Sequence, residues 1–266
     1  MKHNINFTDL PPFRRLFATG LPVICYHKVG KKPARAKLRG IYVGERLFTR
    51  QMRQLADAGF RSVSLDACHG APVPNSIALT FDDGSLTVLQ KALAPLADAG
   101  FQAINYLVSD LIGGVNEWDT VHGEVPDRLM DEAQVREWMA AGHQIGAHTK
   151  THPHLSKISP EKAREEIFGS KKSLEDRFGV PIRHFCYPYG DYSPRVRDMV
   201  GEAGFETAVT IEPGIWRSGA DRLLIPRISA RAHSLNFRNV FKRLLCRPLV
   251  DVSPLWLDQG EGASRP

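Results

Sequence analysis

Four short segments carry residue types whose spacing suits chemistry. The first is LTFDDG at 79–84, an apolar run that meets two adjacent carboxylates, Asp82 and Asp83, and then a glycine. Neighbouring carboxylates repel, and a cation beside one of them relieves the repulsion and leaves the other free as a base. The bland alternative is an Asp-Gly turn after a strand. The second is HTKTH at 148–152, where His148 and His152 stand at i and i+4. On one face of a helical turn that spacing suits a divalent metal, two polar loop histidines being the bland alternative, and Asp83 completes a two-His, one-carboxylate set of the kind that holds catalytic zinc. The third is FCYPYG at 185–190. Tyr187 and Tyr189 there can wall a sugar ring, and backbone N–H groups of such a turn can face an oxyanion; a rigid structural loop fits as well. The fourth is CYH at 25–27, where His27 is either a general acid at a strand end or a satisfied structural histidine.

The elements that must position these groups follow a rhythm. The run LADAGF at 55–60 returns at 96–101, with looser copies MAAGH at 139–143 and GEAGF at 201–205. Each reads as a helix end closed by a left-handed glycine, and each is followed by an apolar or β-branched stretch. Further strands are expected at 22–27, 77–81, 184–187 and 223–225. About seven to eight parallel strands alternating with helices predict an α/β fold, a distorted (β/α) barrel, with a doubly wound open sheet as the alternative. Both place active groups at the carboxyl ends of strands, where all four segments fall. No low-complexity linker divides the chain, so one domain spanning 1–266 is expected, with its core at about 21–250.

Composition narrows the class. Of 266 residues, 42% are hydrophobic and 24% charged. Those fractions exclude disordered, collagen-like and coiled-coil chains. Cys25, Cys68, Cys186 and Cys246 form no CxxC pair, so a zinc ribbon or dithiol redox centre is excluded. The net charge of +6 is weak evidence for any anionic partner. No basic patch interleaves with aromatics as nucleic-acid binding requires. The stretch 236–247 is basic and amphipathic, with Phe237, Val240, Phe241, Leu244 and Leu245 at helical spacing. It predicts a last helix packed on the barrel or a peripheral membrane contact. The basic run 31–39 reads as a loop over the site. No apolar run of signal-peptide or membrane-span length occurs, and the expected location is the cytoplasm, with membrane association through that C-terminal helix.

In combination these motifs resemble the NodB-homology polysaccharide deacetylases, carbohydrate esterase family 4. TFDDG at 80–84, the run 129–148 leading into HTKTHP, and YPYG at 187–190 carry the resemblance, which extends over about 21–229. It implies a distorted (β/α) barrel and a divalent metal, most often Zn2+. It implies Asp82 as general base, Asp83, His148 and His152 as metal ligands, and the Tyr189 N–H at the oxyanion. The substrate it implies is an N-acetylated sugar or polysaccharide, lipid-linked ones included. O-acetyl esters, non-sugar amides and a non-catalytic carbohydrate-binding role are the alternatives. Two departures stand out. Cys186 occupies a position where many members carry an arginine, so Arg227 or Arg183 is expected to orient Asp82. The late acid-histidine motif is missing, His233 lying nearby without it. Instead, PVICYH at 22–27 is similar to the start of the poly-N-acetylglucosamine deacetylase subgroup, which implies His27 as the acid.

Overall fold

The structure is a computed structural model that describes residue 17 and residues 20–70 and 74–230. The stretch 236–247, His233 and Cys246 lie outside the described residues.

Among the described residues ten strands form: β1 (Val23–Tyr26), β2 (Lys28–Val29), β3 (Tyr42–Val43), β4 (Arg61–Ser62), β5 (Ser76–Phe81), β6 (Ile104–Leu107), β7 (Gln144–Ala147), β8 (His184–Cys186), β9 (Thr207–Pro213) and β10 (Ile225–Ser229). Six helices accompany them there: α1 (Glu45–Asp57), α2 (Leu86–Asp98), α3 (Glu117–Thr120), α4 (Glu132–Ala140), α5 (Pro160–Phe178) and α6 (Pro194–Glu202). All pairings in the main sheet are parallel, in the order β1-β10-β9-β8-β7-β6-β5-β4. The pairing of β1 with β5, from Val23 opposite Ala78 to Tyr26 opposite Phe81, closes seven of these strands into a ring. The open doubly wound sheet is thereby set aside. No helix among the described residues is long and apolar enough to cross a membrane.

The repeated helix ends behave as their residues dictate. Gly59, Gly100, Gly142 and Gly204 all have positive φ, between 66° and 88°. The next residue turns back and donates its N–H five residues upstream: Phe60 to Leu55, Phe101 to Leu96, His143 to Trp138 and Phe205 to Val200. Each of these four side chains is buried. One expected strand moves. The segment 223–225 is mostly a turn, because Asp221 Oδ1 accepts from Leu223 N at 2.8 Å, and β10 starts at Ile225.

Strand pleating sorts side chains between two layers. Val23, Ala78, Ile104, Tyr106, Cys186, Val209 and Ile225 pack together inside the ring. Ile24, Tyr26, Ile77, Leu79, Phe81, Phe185 and Tyr187 pack in the larger layer under the helices. Gly146 is required in β7, since a Cβ there would meet the Tyr106 ring at 2.6 Å. Tyr187 is therefore not a wall of the site. It is fully buried in the outer layer, and its hydroxyl donates to the Leu223 carbonyl at 3.0 Å.

Candidate active site

The inward parity that builds the core also delivers the polar groups. Continuing Val23 and Cys25 gives His27; continuing Ala78 and Thr80 gives Asp82; Cys186 and Arg227 come from β8 and β10. A register shift between Ile225 and Arg227 interrupts the β9–β10 ladder at the point where Arg227 enters the ring.

Asp82 and Arg227 form a two-pronged pair, with Nη1 to Oδ1 and Nη2 to Oδ2 both at 2.7 Å. The guanidinium is fully buried and otherwise satisfied: Nε donates to Thr210 O at 2.8 Å, Nη1 to Thr80 Oγ1 at 3.1 Å and Nη2 to Cys186 Sγ at 3.3 Å. The short Cys186 side chain leaves room for it. Burial pushes the Asp82 carboxyl up, but the guanidinium outweighs burial and holds it well below the usual carboxylate range. Burial raises the Cys25 thiol, which stays protonated and donates to Asp82 Oδ2 at 3.4 Å. His27 Nε2 lies 3.7 Å from the same oxygen, and His27 keeps about a quarter of its side chain exposed. Arg183 lies elsewhere: half exposed, it pairs with Glu206 at 3.4 Å.

Asp83, His148 and His152 meet beside this pair. Asp83 Oδ1 is 3.6 Å from Nε2 of each histidine, and the two Nε2 atoms are 3.2 Å apart. Asp83 and Gly84 are both left-handed, at φ 76° and 75°, and this turn swings the carboxylate toward the histidines. The histidines do not share a helical turn, contrary to the expectation from their spacing. Thr149 and His152 are left-handed, at φ 65° and 66°, and His152 N donates to Thr149 Oγ1 at 3.0 Å. The reason is Glu166, buried on α5. Its Oε2 accepts from Lys150 N at 2.8 Å and Thr151 N at 2.9 Å, and its Oε1 from the Thr151 hydroxyl at 2.7 Å. These bonds take the donors that a helix would have used.

These three residues fit a divalent ion. Their donor atoms form a nearly equilateral triangle. A point within it lies about 2.0 Å from all three, the length of zinc bonds to imidazole and carboxylate. His148 Nδ1 lies 2.7 Å from the Cys186 carbonyl. Donation to that oxygen leaves Nε2 free as a ligand. Burial above all pushes the His152 imidazole down to about 3, so it is neutral. Trp118 stacks on His152 at 4.4 Å, and Tyr189 meets it edge-on at 4.5 Å. Tyr189 is itself left-handed, at φ 59°, and 38% exposed, with His154 stacked on its ring at 4.0 Å.

Sequence reasoning missed Glu166 and Trp118. Glu166 had a signal, a carboxylate flanked by Ala163, Ile167 and Ser170 on the buried face of α5. Trp118 sits on the one-turn α3 within the 113–130 connection and had none.

The fold and site together define a closed parallel (β/α) barrel with Asp, His and Arg groups gathered at one mouth. Residues 69–208, just over half of the chain, match the family model for polysaccharide deacetylase. The chain belongs to the polysaccharide deacetylase family, carbohydrate esterase family 4. YxkH of Bacillus subtilis, named as a polysaccharide deacetylase, is 24% identical over 200 residues, which are 73% of this chain and 65% of YxkH. The chain spans 16% to 45% of five other curated relatives that it matches. Among solved structures, the Streptococcus pyogenes deacetylase PplD, in complex with acetate, superposes with a TM-score of 0.69 at 23% identity, covering 80% of this chain and 93% of PplD. IcaB from Ammonifex degensii superposes with a TM-score of 0.69 at 23% identity, over 82% of this chain and 94% of its own. At these identities the superpositions establish the fold.

Proposed function

We propose that this chain hydrolyses the acetamide of an N-acetylated sugar or polysaccharide, giving acetate and a free amino sugar. The observation that carries the reading is the juxtaposition at one barrel mouth of Asp82, held by Arg227, and the Asp83–His148–His152 triangle, with His27 on the open side. A divalent ion held by Asp83, His148 and His152, of which Zn2+ suits the donors best, would supply Lewis acidity toward a carbonyl and toward water.

The chain's own groups divide the remaining work. Asp82 accepts the proton of the attacking water. Its pairing with Arg227 makes it a weak base but fixes both oxygens, so geometry carries more of its effect than basicity. His27, partly exposed and 3.7 Å from Asp82, donates a proton to the departing nitrogen. The Tyr189 N–H, in a left-handed turn, faces the developing oxyanion. Trp118 and Tyr189 brace His152 and keep water from its outer side.

The test is acetate release from N-acetylglucosamine oligomers and from a lipid-linked N-acetyl sugar, using chelated and zinc-restored protein. Zinc-dependent release is expected. Asp82→Asn is expected to lower turnover by about 100-fold or more while metal binding persists. His148→Ala is expected to lose both. Full activity in chelated protein would falsify the scheme. Release from O-acetyl esters alone would retain the site and move the substrate class.

A further inference from the structure

The surplus of positive charge is not spread over the molecule. Between residues 28 and 57 the chain carries nine Lys and Arg against two carboxylates, Glu45 and Asp57, an excess larger than the net +6 of the whole protein. This segment leaves the barrel mouth after His27 and crosses the rim as the loop between β2 and β3. It then turns into α1, which runs back along the barrel side.

Most of these cations are presented outward. Lys31, Arg35 and Lys37 are exposed on the loop, and Arg46, Arg50 and Arg53 are exposed on α1. The α1 arginines stand at i, i+4 and i+7, one face of the helix. Among the described residues, none of these three side chains has a hydrogen bond or ion pair. Glu45, the acid nearest Arg46 in sequence, is engaged by Lys91 at 3.5 Å. The loop also carries Leu38, a large apolar side chain 42% exposed. It is held in that position. Glu124, itself buried, accepts from Lys37 N at 2.8 Å and Leu38 N at 2.6 Å, and Lys37 Nζ donates to His122 O at 3.1 Å. The loop is thus latched to the 113–130 connection that carries Trp118.

Uncompensated arginines on the helix that follows the rim loop, together with an exposed apolar side chain on that loop, match a bilayer of anionic lipids, where cations meet headgroups and an apolar tip enters the interface. A soluble polyanion would use the cations and gain nothing from Leu38. We propose that the rim loop 31–39 and the exposed face of α1 form a docking surface for anionic lipid headgroups, which brings the barrel mouth against the membrane. This surface is independent of the deacetylase reading and of the stretch 236–247.

Cosedimentation of the full chain with phosphatidylcholine vesicles, with and without phosphatidylglycerol, tests it. Binding is expected only with phosphatidylglycerol and weakens with added salt. Arg46→Gln, Arg50→Gln and Arg53→Gln together should lower the partition coefficient about 100-fold, roughly fivefold for each charge. Leu38→Ser should lower it by roughly tenfold. In both variants acetate release from a soluble oligomer should stay at the parent level, which separates this test from that of the catalytic site. Two results overturn the proposal: a partition unchanged by the triple substitution, or binding to soluble polyphosphate that falls with the arginines while vesicle binding is absent and Leu38→Ser is silent.

Discussion

Asp82 is a buried anion whose charge survives because a buried cation grips both of its oxygens. Removing either partner leaves the other stranded, a defect of about 3–5 kcal/mol. In the parent protein the Asp82 pKa is depressed, so the pair stabilises the fold above the unfolded value of 3.8 and that contribution fades as pH falls below it. In Arg227→Ala the sign reverses. Burial then raises the carboxyl, and protonation on acidification relieves the stranded charge. Urea unfolding should show a large deficit at pH 7 that narrows toward pH 5; an equal deficit at both would mean that the charge is not the cause. Arg227→Lys should fold better and still lose turnover, because an ammonium cannot fix two oxygens at once.

The loop between β7 and α5 shows how an element's path is set by a residue far along the chain. Its donors go to the Glu166 carboxylate, and the two histidines converge as a consequence. Glu166→Gln keeps the shape of the side chain but turns one acceptor into a donor. Zinc affinity should fall about 10- to 100-fold, with turnover largely restored at saturating zinc. A zinc titration followed by activity checks this, and unchanged affinity would remove Glu166 from the account. The same loop marks the limit of what the residues announce. HxxxH foretold that His148 and His152 meet but implied a helix, since spacing records proximity and not the competing carboxylate. Tyr187 misled for a related reason. A strand-end aromatic beside a candidate site looks like a wall until strand parity is known, and one residue of offset sends it to the opposite layer. The helix ends were legible throughout, because glycine, helix formers and a large side chain act within six residues of one another.

At the scale of the molecule, four repeats of one helix-end device plug the barrel's outer layer with Phe60, Phe101, Phe205 and, out of pattern, His143. His143 stacks on Trp138 at 4.1 Å, and its Nδ1 accepts from Ala103 N at 3.3 Å. Burial pushes its imidazole down to about 4 from the ordinary 6.5. The unfolded chain therefore binds a proton in this window that the folded one refuses, and stability falls as pH drops from about 6.5 to 4. His143→Phe restores the pattern of the other repeats. It should make that acid limb shallower, with His152 and His184 still contributing to it, while lowering stability at neutral pH by about 1–3 kcal/mol, through the unpaired Ala103 N–H. Thermal melts across the window would decide, and an unchanged acid slope would clear His143. The pairing of Asp82 with Arg227 lay beyond the sequence at this scale. The two are 145 residues apart, and only the closed ring fixes which arginine faces inward.

That closure has a consequence for what counts as the smallest working unit. The family match begins at residue 69 and stops at 208, whereas His27 stands at the end of the first strand and Arg227 on the last of the ring. A piece trimmed to the recognisable segment would keep Asp83 and both histidines, yet it would lose His27, the proposed proton donor, and the guanidinium that grips Asp82. It would also strip β5 of its partner β1 and cut β9 after Ala208, leaving the flanks of β5 and β8 as largely bare edges, open to pairing with other chains. Ancestry is written in the middle of this chain, while its competence depends on the two ends being sewn together.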